Sequence, residues 1–573
     1  MLYPRPSAAA TFPGRGWLAV LRIVLVAMVA TWAAGCASLP TNVARPVSLA
    51  FEAPDDTSLG RLVQQRRSRA AVTRSDSAFR LLDSVDSAFT SRLALIEGAQ
   101  RTLDLQYYAI HADSSTEQLL ERVRAAAARG VRVRILLDDF NSVGADAQVL
   151  RLAFLKNVEV RLYNPLPGSR SSLMGRIFTS LNDVGQIQKR MHNKLFIADN
   201  AWGIAGGRNL GDAYFGRGEE SNFVDLDVLA AGRVVRDMSA SFDVYWNNEL
   251  AYPVEALLDK EDLDRLRAPL QPAGAAEAPQ KAPASTAVAA TVTHTASVLP
   301  DVTATGVQSR IMNLQQVPLI WAPSALMVDK PGKVGPGDDE VDAGDTLIDG
   351  LLAIMGQARS DLLIISPYFV PGQPMMRVFS DLRQRGVRIR VLTNSLASND
   401  APAAHAGYAR YRKQLLALGI ELYEMRAEQE GSAGGLGSGI NARAATSPGM
   451  FGSGGGVGGS KASTGRASLH SKAVVIDGQL AVIGSMNLDL RSQLKNSEVA
   501  LVIRSAALSR EAIRLVETSL AKGAYRLEWV NGALHWRAPA GADFPDASSE
   551  PEASAKLKLL VNLLGPLAPD EML

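Results

Sequence analysis

His192-Asn193-Lys194-Leu195-Phe196-Ile197-Ala198-Asp199 and His470-Ser471-Lys472-Ala473-Val474-Val475-Ile476-Asp477 are one pattern written twice, about half a chain apart. Gly206-Gly207-Arg208-Asn209 follows the first copy and Gly484-Ser485-Met486-Asn487 the second, so both have the form His-x-Lys-x4-Asp-x6-Gly-[Gly/Ser]-x-Asn. A single short motif arises easily by chance. Two complete copies at matched spacing describe a duplicated chain that carries two half-sites.

The residue types suit chemistry at phosphorus. A neutral imidazole is a nucleophile, and an imidazolium can hand a proton to a departing alkoxide, so two histidines on one phosphate can share both tasks. If the motif is a strand, Lys194 and Lys472 share a face with their histidines and point at the phosphate oxygens. Asn209 and Asn487 add amide donors, and the glycine positions, with Ser485, let the chain approach the phosphate. Two ammonium groups and an imidazolium neutralise the developing charge, so neither metal nor cofactor is expected.

The flanking segments repeat as well. Leu103 to Tyr108 parallels Leu362 to Tyr368, Arg129 to Leu136 parallels Arg385 to Leu392, and Val158 to Tyr163 parallels Ile420 to Tyr423. Short β-branched runs alternate with helical patterns such as Thr116 to Arg129 and Met375 to Arg385, which predicts an α/β fold with a helix-covered sheet in each half. The expected order is an N-terminal linker at 37–75, a first half at 76–267, a Pro/Ala-rich linker at 268–304, a second half at 305–546, and a tail at 547–573 with an apolar stretch from Leu557 to Leu564 expected to dock on the core. The Gly/Ser-rich run 430–466 lengthens the second half just before His470; it is expected to be slack rather than a lid.

With these residues in view the sequence resembles the phospholipase D superfamily, whose paired HKD motifs match His192, Lys194, Asp199 and His470, Lys472, Asp477. Leu105-Gln106-Tyr107-Tyr108, Gly206 to Phe215, Tyr245-Trp246-Asn247, Ser366-Pro367-Tyr368-Phe369-Val370-Pro371-Gly372 and His405 to Tyr411 resemble the bacterial C-type cardiolipin synthases. The resemblance covers roughly residues 76–540. It implies two α/β sandwich halves related by a pseudo-twofold axis around one shared site, and a covalent phosphohistidine on His192, with His470 as acid and then base. It further implies a carboxylate steadying each histidine: Glu498 for His470 and, by alignment of Phe223 to Asp227 with Asn496 to Ala500, Asp225 for His192. Asp199 and Asp477 complete the motif, yet lie five residues beyond the lysines, and are expected to be structural hydrogen-bond partners rather than acids.

Other polar residues have plainer readings. His294 lies in a low-complexity stretch and His535 beside Trp536 reads as structural. His111 and His405, in matching positions near Tyr108 and Tyr368, are candidates to line a headgroup or acyl pocket. Asp138-Asp139 reads as a turn and cap. No cluster has metal-ligand spacing, and the single cysteine excludes a thiolate cage.

That cysteine has its own context. Arg15 and Arg22 precede the apolar run Ile23 to Ala30, which ends in Ala33-Ala34-Gly35-Cys36. This pattern predicts a signal peptide over 1–36 with Cys36 lipidated, an exported protein on the periplasmic side, and, with Ala37 following, an outer-membrane lipoprotein; an uncleaved membrane anchor is the other reading. The 573 residues and 47% hydrophobic content suffice for two cores, while a formal charge of +2 argues against nucleic acid as a partner. The expected activity is a phosphatidyl transferase making cardiolipin from phosphatidylglycerol and a second phospholipid such as phosphatidylethanolamine, at a membrane surface and as a monomer. A hydrolytic phospholipase D is the alternative and a nuclease the weaker third.

Overall fold

A computed structural model of the chain describes residues 39–564, with larger gaps at 169–186 (Arg176 excepted), 267–310, 336–345 and 429–465 (435–437 excepted) and a few shorter ones. Cys36, the Pro/Ala linker, His294 and most of the Gly/Ser run lie outside the described residues.

The β-branched runs form strands because their two faces serve two different apolar layers. Phe196 and Ala198 pack under helices, whereas Leu195 and Ile197 face the other sheet. In the second copy Val474 and Ile476 lie under helices and Ala473 and Val475 face inward. A period of two thus sorts alternate residues into an outer core and a central one shared by both halves.

Each half contributes one nine-stranded mixed sheet. In the first, Thr102–Tyr107, Arg132–Asp138 and Val158–Tyr163 run parallel, and Leu195–Ala198, Trp202–Gly206, Asp227–Gly232 and Ser77–Leu82 follow as antiparallel neighbours. The second repeats this with Asp361–Ile365, Arg388–Asn394 and Glu421–Met425, then Ala473–Ile476, Leu480–Gly484, Val499–Arg504 and Ser324–Val328. Val85–Gly98, started by a Ser84/Ser87 capping box, and Ser114–Ala128, capped by Asp113, cover the first sheet. Gly372–Gln384 and Pro402–Ala417 cover the second. Arg233–Trp246 and Ala506–Gly523 bury Val234, Met238, Phe242, Leu508, Ala512 and Val516 in the central layer.

The expected boundaries need correction at three places. Residues 37–75 are more than a linker, because the helix Ser58–Ala70 buries Leu59 and Val63 in the first outer core. The second half does not begin at 305: Leu314 packs on the first core and Ile320–Ala322 pairs with Ser77–Phe79, so the chain changes sheets at Pro323. Inside the Gly/Ser run, Leu436 is 3% exposed in the central layer, its N–H donating to Ser519 Oγ while Gly437 N–H donates to Asp83 O. The run is therefore anchored at one point. The tail helix Ala555–Leu564 docks by Val561 beside Leu396 and Ala406.

Candidate active site

Two short parallel ladders join the halves, and they build the site. Arg190–Met191 pairs with Asn496–Ser497, and Arg466–Leu469 with Ser221–Val224. Each strand that ends at a motif histidine therefore lies beside the strand from the other half that ends at a carboxylate. His192 N–H donates to Ser497 O at 2.9 Å and His470 N–H to Val224 O at 2.8 Å, which brings Glu498 to His192 and Asp225 to His470. His192 Nδ1 faces both Glu498 oxygens at 3.0 Å, and His470 Nδ1 faces Asp225 Oδ2 at 2.6 Å. The pairing expected from the alignment was the opposite one. A twofold arrangement permits either pairing, and the two ladders decide it by setting each histidine beside the carboxylate strand of the other half.

The His-x-Lys triplets are not sheet strands either. They are irregular links between the ladder and the sheet, and the lysines turn back so that Lys194 Nζ donates to His192 O at 2.8 Å and Lys472 Nζ to His470 O at 2.6 Å. Lys472 Nζ also stands 3.0 Å from His470 Nδ1, so this ammonium lies beside both the ring and the chain of its histidine. The residue before each histidine is pinned by the end of the neighbouring sheet strand. Asp138 Oδ2 accepts from Met191 N–H at 2.8 Å, and Asn394 Oδ1 accepts from Leu469 N–H at 2.8 Å. The repeat of Arg132–Asp138 in Arg388–Asn394 carried that signal, which the reading of Asp138 as a turn residue passed over. Asp329 was missed as well; its Oδ2 accepts from Glu498 N–H at 2.9 Å and from Lys333 Nζ at 2.8 Å.

The motif aspartates stand elsewhere. Asp199 accepts from the N–H groups of Gln100, Arg101 and Thr102, and Asp477 from those of Arg359, Ser360 and Asp361. Both have positive φ, 54° and 53°, at the turn that closes their sheet strand. They tie a turn to the start of the neighbouring strand, the hydrogen-bonding role expected of them.

The candidate phosphate ligands divide. Ser485 Oγ donates to Glu498 Oε2, and a Cβ at its counterpart Gly207 would stand 2.3 Å from Asp225 Oδ1, so this position serves the carboxylates rather than a phosphate. Asn209 donates to the Tyr214 hydroxyl at 2.9 Å and accepts from Ala109 N–H at 3.3 Å, so its amide is engaged. Asn487 keeps a buried side-chain oxygen without a partner among the described residues.

Aromatic rings wall the imidazoles. Tyr108 meets His192 edge-on at 5.1 Å, and Tyr214 and Phe223 lie 5.4 and 5.0 Å from His470. Tyr368 donates to Asp400 at 2.8 Å on the rim, and His111 pairs with Asp146 at 2.9 Å and stacks on Tyr214 at 6.4 Å. Burial opposes the charge of His111, but the Asp146 hydrogen bond and the Asp146 and Asp113 charges together outweigh it and raise the imidazole. His405 is removed from the pocket: it is fully buried against Arg412, which bridges Glu424 and Glu550 beneath the C-terminal segment.

The electrostatics fit an anion. Burial pulls His192 down to about 4 against the opposing pull of Glu498, and burial with the Lys472 and Lys194 charges holds His470 well below the usual imidazole range. Burial likewise lowers Lys194 to about 7 and Lys472 to about 8. Burial pushes Asp225 up, whereas for Glu498 the His192 and Lys194 charges outweigh burial and hold it below the usual carboxylate range. A phosphodiester anion supplies the negative charge that would keep these cations protonated.

The family described as cardiolipin synthase, PLD-like domain, matches residues 93–246, 351–437 and 452–519. The chain is 38% identical over 454 residues to cardiolipin synthase C of Escherichia coli (strain K12), covering 79% of this chain and 85% of that protein. It is 23% identical over 487 residues to cardiolipin synthase A of Edwardsiella ictaluri, covering 84% and 76%. A solved phosphatidylserine synthase from Haemophilus influenzae Rd KW20 superposes with a TM-score of 0.47 at 12% identity over 78% of this chain and 87% of that one. The chain belongs to the cardiolipin synthase, PLD-like family.

Proposed function

We propose that the chain is a phosphatidyltransferase that makes cardiolipin from phosphatidylglycerol and a second phospholipid. The observation that carries the mechanism is the pair of imidazoles, each with Nδ1 committed to a carboxylate of the opposite half. That tautomer leaves Nε2 to act on a ligand, as in a catalytic triad. Nε2 of His192 bonds to phosphorus as the bond to the headgroup oxygen breaks, and the departing alkoxide takes the Nε2 proton of His470, which enters this step as an imidazolium held by Asp225 and the bound phosphate and leaves it neutral. The terminal hydroxyl of phosphatidylglycerol then gives its proton back to His470 while its oxygen bonds to phosphorus and the phosphorus–nitrogen bond breaks. Lys194 and Lys472 neutralise the phosphate throughout.

Family membership and the identity to a cardiolipin synthase support transfer over hydrolysis. So does the burial of His192 and His470, which are 8% and 6% exposed, because a phosphohistidine screened from water survives until an alcohol arrives. Phosphatidylethanolamine fits the second-lipid role, and the enzyme acts as a monomer at a membrane surface. On the same reading it is exported and held on the periplasmic face by lipidated Cys36, in the outer membrane. Incubation of the purified chain with phosphatidylglycerol vesicles, with and without phosphatidylethanolamine and with EDTA present, should yield cardiolipin by mass. Phosphatidic acid as the sole product would replace transfer by hydrolysis, and loss of turnover on chelation would remove the metal-free mechanism. Cys36→Ser should abolish incorporation of labelled fatty acid; continued labelling would refute the anchor.

A further inference from the structure

The tail helix Ala555–Leu564 is apolar on both of its faces. Leu557 and Val561, four residues apart, pack toward Leu396 and toward Ala406 of the helix Pro402–Ala417. Leu559 and Leu563 each follow two residues later, about 200° further round the helix, and are 70% and 63% exposed. Seven of the ten residues are apolar, and the only charges are Lys556 and Lys558. A helix on the surface of a globular protein normally turns a polar face outward. This one turns leucines outward beside lysines, the composition of a helix that lies in a bilayer interface.

The helix is firmly held, and it is held beside the site. Glu550 pairs with Arg412 at 2.5 Å and Glu552 accepts from Ala427 N–H at 2.9 Å, so the chain enters the helix from a fixed point. Its inner face rests on the turn that borders the His470 half-site. Asn394 accepts from Leu469 N–H at 2.8 Å and donates to Leu469 O at 2.9 Å, which pins the residue before His470. Two residues on, Leu396 is buried beside Val561, and four beyond that the exposed Asp400 accepts from the Tyr368 hydroxyl at 2.8 Å. One short turn thus carries the clamp on the His470 strand, the seat of the tail helix and a rim residue open to solvent.

We propose that the outer face of this helix, Leu559 and Leu563 with Lys556, lies on an anionic phospholipid bilayer and sets the rim beside His470 against it, an inference that rests on the phospholipid reading of the site. The occupant follows from charge and size. The helix carries two cations and no acid, which suits a surface of anionic lipid. Two leucines and a lysine offer far less than the about 800 Å² per partner that a specific protein interface buries. An interfacial helix needs to insert only its apolar face.

The test uses the full chain with an environment-sensitive fluorophore at Leu559→Cys. The control is Gln479→Cys, an exposed position in the turn at the end of the strand Ala473–Ile476 away from His470, and the unsubstituted chain labelled in parallel gives the contribution of Cys36. Vesicles of dioleoyl phosphatidylglycerol should shift the label at 559 to the blue and open it to quenching by spin-labelled acyl chains, with the label at 479 unchanged. Separately, the double variant Leu559→Glu/Leu563→Glu should lose about tenfold or more in kcat/KM on the vesicle lipid, with soluble dihexanoyl phosphatidylglycerol changed by less than about twofold. A label at 559 that responds no more than the one at 479 would overturn the surface. So would a shift that appears without vesicles and grows with protein concentration, the sign of a second copy, and so would equal losses on both lipids or none on either. If the double variant does not fold, the label decides alone. Insertion at 559 in a chain that turns over neither lipid would sink the enzymatic reading and leave the surface standing.

Discussion

An imidazole acts at phosphorus through one nitrogen and is aimed through the other, so the identity of the Nδ1 partner decides which variant damages which step. Glu498 holds the proposed nucleophile, and Asp225 the proposed acid and base. With a phosphatidyl ester whose leaving group needs no proton, so that His470 serves only as the base, Glu498→Gln should slow formation of the phosphatidyl-histidine and Asp225→Asn its resolution, each by about 10²-fold or more. Rapid quenching with a labelled lipid checks this: adduct should accumulate on His192 in the Asp225 variant and not in the Glu498 variant, and the reverse pattern would exchange the two histidines' roles. The pH profile follows from the lysines. In the free enzyme Lys194 and Lys472 lose their protons as pH rises through about 7 and about 8, so kcat/KM should fall over that window, with apparent values that belong to the coupled set. The bound phosphate raises both lysines, so the basic limb of kcat should lie at higher pH, and coincident limbs would refute the electrostatic account. The motif residues themselves were legible in the sequence because chemistry and spacing repeat there. The carboxylate partners were found as residues but misassigned, because no local pattern encodes a contact between halves: His192 and Glu498 are 306 residues apart, and His470 and Asp225 are 245 apart.

At the scale of elements, the parallel runs such as Val158–Tyr163 were legible to the residue, since Val158, Val160 and Leu162 alternate with Glu159 and Arg161 at the strand period of two. The two ladders that set the site were not. Arg190–Met191 and Asn496–Ser497 are two residues each, too short for any periodicity, and exist only because the halves meet. Composition also hid the anchor in the Gly/Ser run, where a single leucine between glycines gives no apolar pattern, yet Leu436 reaches the central layer. Leu436→Ala should cost about 2–3 kcal/mol in denaturant unfolding, as for other buried leucines. A deletion confined to residues 445–459 should leave both stability and kcat/KM nearly unchanged, because loop length alone changes closure entropy slowly. A stable deletion that lost more than about tenfold in kcat/KM, roughly 1.4 kcal/mol of transition-state stabilisation, would make the run a lid.

For the whole molecule, duplication was legible because every segment of one half recurs in order in the other, but the point where the chain changes sheets was not. Ile320–Ala322 and Ser324–Val328 are adjacent apolar runs, and only pairing with Ser77–Phe79 on one side and Val499–Ile503 on the other separates them at Pro323. That crossing matters for the unit of activity. The halves of one chain bury a common layer that includes Ile197, Val228, Val475 and Leu501, and both ladders close within it. If one chain builds the whole site, two inactive variants cannot repair each other. Equimolar His192→Ala and His470→Ala proteins, purified separately and incubated together, should stay as inactive as either alone, since exchange of halves would require opening the central layer. Cardiolipin formation by the mixture, growing with time and concentration, would mean that sites are assembled between copies and would refute the monomeric unit.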